Sequence, residues 1–170
     1  MTTANANEVA EMNQTSMELE GDREIVISRT FNGPARIVFE AYTNADLLRR
    51  WWAPKSLGVS LLICEADVRV GGKYRYVLQP RKGDPVGFSG VYQEVTPHSR
   101  LVYTQIFEPM ADAGEVIATV TFDEHDGRTH MVSREVYPSK EVREIALSSG
   151  MEHGMRVTMD QLDELVASLS

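Results

Sequence analysis

A chain of 170 residues with 42% hydrophobic content has enough apolar side chains for one sizeable core, so a single ordered domain is expected. Seventeen Lys and Arg against 25 Asp and Glu leave a net charge of −8, which argues against the basic footprint of a nucleic-acid binder and against docking on an anionic membrane. No stretch approaches the ~20 apolar residues of a membrane span, residues 1–20 lack a signal-peptide pattern, and Cys64 is the only cysteine, a combination that points to the cytoplasm.

Residues 1–20 are small, polar and acidic without a sustained period, and read as a flexible tail in which Val9 and Met12 could add a turn of helix. Residues 23–31 read as a strand, with Ile25 and Ile27 on one face and Val26 and Ser28 on the other. Asn32-Gly33-Pro34 stops it, and the fixed φ of Pro34 suits the first position of a helix whose apolar stripe is Ile37, Val38, Ala41 and Tyr42. Asn44 is placed to cap a second short helix, with Asp46 in its first turn and Leu47 and Leu48 as its apolar residues. Pro54 ends that helix after Trp51-Trp52-Ala53.

Strand patterns follow at 59–65, 73–78, 86–95, 100–107, 116–122 and 129–137, separated by Gly71-Gly72, a turn cluster at 80–85, a turn at 96–99, a loop at 108–114 and the hairpin signal Asp126-Gly127. Every strand-to-strand connection is hairpin-sized, so the sheet is expected to be antiparallel. Pro138 ends the last strand. Helix begins after Ser139, is interrupted near Ser148-Ser149-Gly150, and resumes with Met151, Met155, Thr158, Met159, Leu162, Leu165, Val166 and Leu169 on one face. The fold class is therefore α+β: a tail at 1–20 and one domain at 21–170, in which a curved antiparallel sheet of six to seven strands wraps a long C-terminal helix. A sheet gripping one helix leaves a cavity between them, lined mostly by apolar side chains with a few polar groups.

The chemistry is less legible. His98, His125, His130 and His153 are scattered over turns, a strand and a helix without metal-ligand spacing, so no metal is expected. Gly87-Phe88-Ser89-Gly90 falls short of a nucleophile elbow, Gly71-Gly72-Lys73 lacks the remainder of a phosphate loop, and no acid–base pair emerges from spacing, so neither catalytic residues nor a cofactor is assigned. In Lys73-Tyr74-Arg75-Tyr76 the basic residues take the solvent face and the tyrosines the core or cavity. Cys64, in an apolar run, reads as a small core residue. The residues expected to line the cavity are Trp51, Trp52, Tyr74, Tyr76, Phe88, Tyr103, Gln105, Met151, Met155 and Met159. Gln105, His130 and Arg134 are the candidates for its polar groups, with their orientation open.

Four stretches resemble one family in order and spacing: Phe31-Asn32-Gly33-Pro34-Ala35 with the helix ending in Trp51-Trp52; Asp67-Val68-Arg69-Val70-Gly71-Gly72-Lys73-Tyr74; residues 90–102; and Gly150-Met151-Glu152-His153-Gly154-Met155 leading to Asp160-Gln161-Leu162. They are similar to bacterial homologues of the activator of the heat-shock ninety-kilodalton chaperone ATPase, within the START-like (SRPBCC) superfamily. The resemblance covers residues 23–168 and implies a helix-grip fold with a deep cavity. It implies a small hydrophobic or amphipathic ligand first, a co-chaperone-like contact linked to the stress response second, and cyclase-like catalysis third; it carries over no catalytic residue. Many relatives have Gly-Trp at Gly154-Met155 and Trp at Gln105, so this chain loses aromatic bulk at both places. A homodimer through exposed strand edges or the loop near Met110 is compatible with the sequence.

Overall fold

The computed structural model describes residues 14–170. Its elements are β1 (Ser16–Glu20), β2 (Glu24–Phe31), α1 (Ala35–Thr43), α2 (Ala45–Trp51), β3 (Ser60–Ala66), β4 (Lys73–Gln79), β5 (Val86–Thr96), β6 (Arg100–Phe107), β7 (Val116–His125), β8 (Arg128–Val136), α3 (Lys140–Ser148) and α4 (Met151–Leu169). All strands join one antiparallel sheet in the order β1-β2-β8-β7-β6-β5-β4-β3.

The sheet has eight strands where six to seven were expected, and the additional one corrects the tail. Residues 16–20 pair with β2 from Ser16↔Ser28 to Glu20↔Glu24. Met17 and Leu19 alternate with glutamates, but only Met17 is half-buried, against Ile25, Ile27 and Tyr137, while Leu19 is 50% exposed, so the strand is short and mostly wet at the end of a polar run. Backbone pairing holds it, aided by Arg134, which donates to the carboxylates of both Glu20 and Glu24. Val9 and Met12 lie outside the described residues.

The concave face follows the two-residue period. Ile25, Ile27, Arg29 and Phe31 of β2, Ala118, Val120 and Phe122 of β7, and Thr129, Met131 and Ser133 of β8 are all buried. Across this face lies α4, which buries Met159, Leu162, Leu165 and Val166, each side chain contributing about 1.5–3 kcal/mol. Arg29 fixes the helix over the sheet, reaching Asp160 at 2.6 Å and Asp163 at 3.3 Å while itself 7% exposed. For so buried a cation, attraction and desolvation nearly offset, so the clamp sets position more than stability.

Helices α1 and α2 close one end of the sheet. Pro34 stands one position ahead of α1 and not within it, with extended ψ of 155°. The free first-turn N–H of Ala35 donates to Glu124 at 2.7 Å. Asn44 caps α2, its side chain accepting from the backbone of Asp46 and Leu47. At the opposite end, Ser139 caps α3, and buried Arg143 donates to the carbonyls of Gly21 and Glu24, tying α3 to the β1–β2 turn. The expected interruption falls at Gly150, whose φ of +82° turns the chain from α3 into α4.

Candidate functional site

Two spaces lie against the concave face, and they differ in kind. The inner one is walled by tyrosines. In β4, Lys73 and Arg75 are exposed while Tyr74 and Tyr76 turn inward, as the alternation predicts. Tyr74 stacks on Tyr76 at 4.9 Å, on Tyr92 at 5.5 Å and edge-on against Tyr103 at 5.7 Å, and Trp52 stacks on Tyr76 at 4.7 Å. The Tyr74 hydroxyl donates to the Thr104 carbonyl at 2.5 Å. This packing needs a glycine: a Cβ on Gly90 would lie 1.8 Å from the Thr104 carbonyl oxygen and 2.8 Å from the Tyr74 ring. What is left free is ≈20 Å³, about the room of one water. Burial pushes the phenols of Tyr42, Tyr74, Tyr76 and Tyr103 upward, so all stay protonated and none serves as a base near neutral pH.

The outer space is a cavity of ≈230 Å³ between the ends of β5 to β8, the 3-10 segment Glu108–Ala113, α3 and the first turn of α4. Its walls are apolar, including Phe88, Phe107, Val116, Val142, Ile145 and Met151. Phe107 and Ile145 are exposed at 39% and 48%, so the cavity is flanked by accessible apolar surface. The polar side chains that reach it are Gln105, Glu135, Tyr137 and Ser149, of which Ser149 already donates to the Ala146 carbonyl at 2.6 Å. Gln105 lines both spaces and is the hinge between them.

Glu135 is the unusual member. It falls in step with buried Thr129, Met131 and Ser133, so the pleat turns its carboxyl inward. The Tyr137 hydroxyl donates to Glu135 Oε2 at 3.0 Å. Burial raises the Glu135 carboxyl above its ordinary range, and the hydrogen bond from Tyr137 opposes this only in part. A carboxyl shifted upward by burial in an apolar cavity is a mark of functional sites.

The expected cavity residues divide accordingly. Trp52, Tyr74, Tyr76, Tyr103 and Gln105 line the inner space; Phe88, Gln105 and Met151 line the outer one. Trp51, Met155 and Met159 line neither. Trp51 is 2% exposed and donates its indole N–H to the Ala41 carbonyl at 2.8 Å, a core anchor. Met159 is buried under α4, and half-buried Met155 joins the main core to the smaller cluster of Ile25, Ile27 and Tyr137. Of the three polar candidates only Gln105 faces inward. His130 and Arg134 have the opposite parity to Met131: His130 Nδ1 contacts the Thr30 hydroxyl at 3.1 Å, and Arg134 binds Glu20 and Glu24. Counting from Met131 would have identified Glu135 and Tyr137. The α3 wall had no such signal, because its boundaries were open in the sequence.

The remaining reactive side chains have structural surroundings. Cys64 is buried, its thiol raised first by desolvation, and contacts the Ala45 carbonyl at 3.7 Å. His98 packs edge-on against Phe39, and His125 pairs with Asp123 beside the β7–β8 turn. Among the described residues no group of three or more His, Cys, Asp or Glu could hold a metal ion, and no helix is long and apolar enough to cross a membrane.

Solved structures share this architecture. A Rhodobacter sphaeroides protein is 21% identical with a TM-score of 0.82, over 91% of this chain and 99% of its own. A Mycobacterium smegmatis protein is 23% identical with a TM-score of 0.80, over 89% and 96%, and a Nitrosomonas europaea protein 23% identical with a TM-score of 0.77, over 88% and 97%. At such identities the likeness establishes the fold alone, a helix-grip arrangement. No curated protein matches the chain. The family model described as Activator of Hsp90 ATPase homolog 1-like protein matches residues 32–167, from the turn after β2 to the last turns of α4, and on that match the chain belongs to this family.

Proposed function

We propose that the chain binds a small, largely apolar ligand in the outer cavity. One observation carries this reading: ≈230 Å³ of apolar-walled space into which Gln105, Glu135 and Tyr137 converge from neighbouring parts of the sheet. Ligand sites have this composition, mostly hydrophobic with a few polar groups that fix orientation. The volume lies below the ~300–1,000 Å³ of drug-sized pockets, so the fitting ligand has about one ring and a short chain. Gln105 adds to the case, since it lines both spaces and offers the cavity a neutral amide.

Native mass spectrometry of protein purified from its own host tests the reading, with solvent extraction of any released compound. The expected result is a bound small molecule on the unaltered chain and none on Ala146→Trp, which places an indole in the cavity. A protein that is empty in both forms, and that takes up no apolar probe, overturns the proposal.

A further inference from the structure

We infer that the cavity's ligand carries a protonated amine and that Glu135 is its counter-ion. This rests on the reading of the outer cavity as a ligand site, and it names the ligand's chemical class.

The charge around the cavity has one sign. Among the described residues that line it there is no Lys, Arg or His, and Glu135 is the sole ionisable carboxyl. The cation nearest in sequence, Arg134, points to the other face of the sheet and is bound to Glu20 and Glu24. Turning to each element packed around Glu135, the titratable groups that sense it are Tyr137 beside it on β8, Tyr42 on α1, Tyr74 on β4 and Tyr103 on β6. All are phenols held protonated. From α3 the lining is Val142, Ile145 and Ala146, and from α4 it is Met151, so neither helix supplies a cation.

A desolvated carboxylate without a cation is costly, and a ligand ammonium would remove that cost. The position is prepared for one. The Tyr137 hydroxyl holds one carboxylate oxygen in place at 3.0 Å, the Gln105 amide offers a further acceptor, and the paired rings of Phe88 and Phe107, 5.3 Å apart, present aromatic surface that suits a cation or the carbons beside it. A carboxylate or phosphate ligand would meet Glu135 as a like charge with no basic residue to receive it. Fatty acids and acidic headgroups are therefore disfavoured, and a neutral ligand would leave Glu135 without a charge partner.

Isothermal calorimetry on the full chain decides this with three probes of one shape: 3-phenylpropan-1-amine, 3-phenylpropan-1-ol and 3-phenylpropanoate. The amine is expected to bind about tenfold or more tighter than the alcohol, the scale of a hydrogen bond to a charged group, and the carboxylate weakest. On the unaltered protein, amine affinity rises with pH as Glu135 ionises and binding releases protons where Glu135 is still protonated, whereas alcohol affinity stays flat. Glu135→Gln brings the amine-to-alcohol ratio close to unity, and its alcohol binding shows that the variant is folded. Equal affinities for amine and alcohol, a flat pH curve for the amine, or a preference that survives Glu135→Gln overturns the inference and leaves the cavity reading standing. Failure of all three probes to bind, with no small molecule on the purified protein, overturns both.

Discussion

The inner and outer spaces lie on the same sheet face and share Gln105, yet one is nearly solid and the other open. The inner space is walled by tyrosines whose rings stack on each other and whose hydroxyls stay protonated, with ≈20 Å³ left over. The outer space has shorter or exposed apolar walls, ≈230 Å³ of room and a carboxyl that burial has pushed upward. The difference is one of support. Inner side chains are enclosed by the sheet, α1 and α2, whereas the outer cavity is closed over the sheet ends by a short 3-10 segment, α3 and the first turn of α4. On the proposed reading, the first region serves stability and the second ligand selectivity.

Truncating one wall from each region breaks or sharpens that contrast most strongly. Tyr74 is 4% exposed and hydrogen-bonded to Thr104; Tyr74→Ala is expected to cost about 3–5 kcal/mol, the scale of large aromatic deletions in packed cores. Phe107, exposed at 39% and stacked on Phe88 alone among the ring pairs, should cost about 1 kcal/mol as Phe107→Ala. Its loss should appear instead in probe affinity. Urea unfolding of the two variants measures the first effect and calorimetry the second; equal destabilisation would erase the distinction.

A smaller effect of opposite sign is expected from Glu135→Gln. Because the folded state raises this carboxyl's pKa, the folded protein binds a proton more readily than the unfolded chain, and stability falls as pH rises from the ordinary carboxyl range through the raised value. Above that window the native side chain is a net cost. The amide variant should therefore be more stable than the parent at neutral pH and lose this advantage at pH values below the ordinary carboxyl range. Thermal melts across that range test the sign, and a gain that does not vary with pH would show that ionisation of Glu135 is not its origin.

How far the sequence reveals this division depends on what each residue's neighbours repeat. Tyr74 and Tyr76 alternate with Lys73 and Arg75, so their inward turn was legible, as were the Asn44 cap and the Met-to-Leu stripe of α4. β1 was not, because its two alternating apolar residues, Met17 and Leu19, span only five positions at the end of a polar, acidic run. Trp51 and Trp52 are adjacent, and no local pattern says that one anchors the core while its neighbour reaches the inner space. Glu135 and Arg134 are adjacent and both polar, and only the parity fixed by Met131 separates the inward carboxyl from the outward guanidinium. The outer cavity itself is assembled from several separate elements, the 108–113 segment, the ends of β5 to β8 and α3, and such a juxtaposition leaves no trace in any one of them.

The smallest expected effect concerns the 3-10 wall of the outer cavity. The 3-10 segment carrying Met110 and Ala113 begins at Glu108, whose carboxylate accepts from Arg75 at 2.8 and 3.0 Å across the outer face of the sheet. That hydrogen bond holds the Glu108 carboxyl below its ordinary range. The latch needs room: a Cβ on Gly87 would lie 2.2 Å from Glu108 Oε1, so Gly87 is what lets the carboxylate lie flat there. The obstacle is the end of a flexible side chain and not backbone, and Gly87 has no positive φ, so Gly87→Ala should displace Glu108 without unfolding the strand. Arg75→Ala removes the same latch from its other side. Both variants are expected to melt near the parent temperature, since exposed ion pairs contribute little to stability. Both should release 3-phenylpropan-1-amine a few-fold faster in stopped-flow displacement, in keeping with the modest worth of such a pair. With 3-phenylpropan-1-ol, which does not respond to Glu135, lowering the pH through the depressed Glu108 value should speed release in the parent and change nothing in Arg75→Ala. Unchanged release in both variants would mean that this segment is a fixed wall, and that the openness of the outer cavity comes from α3 alone.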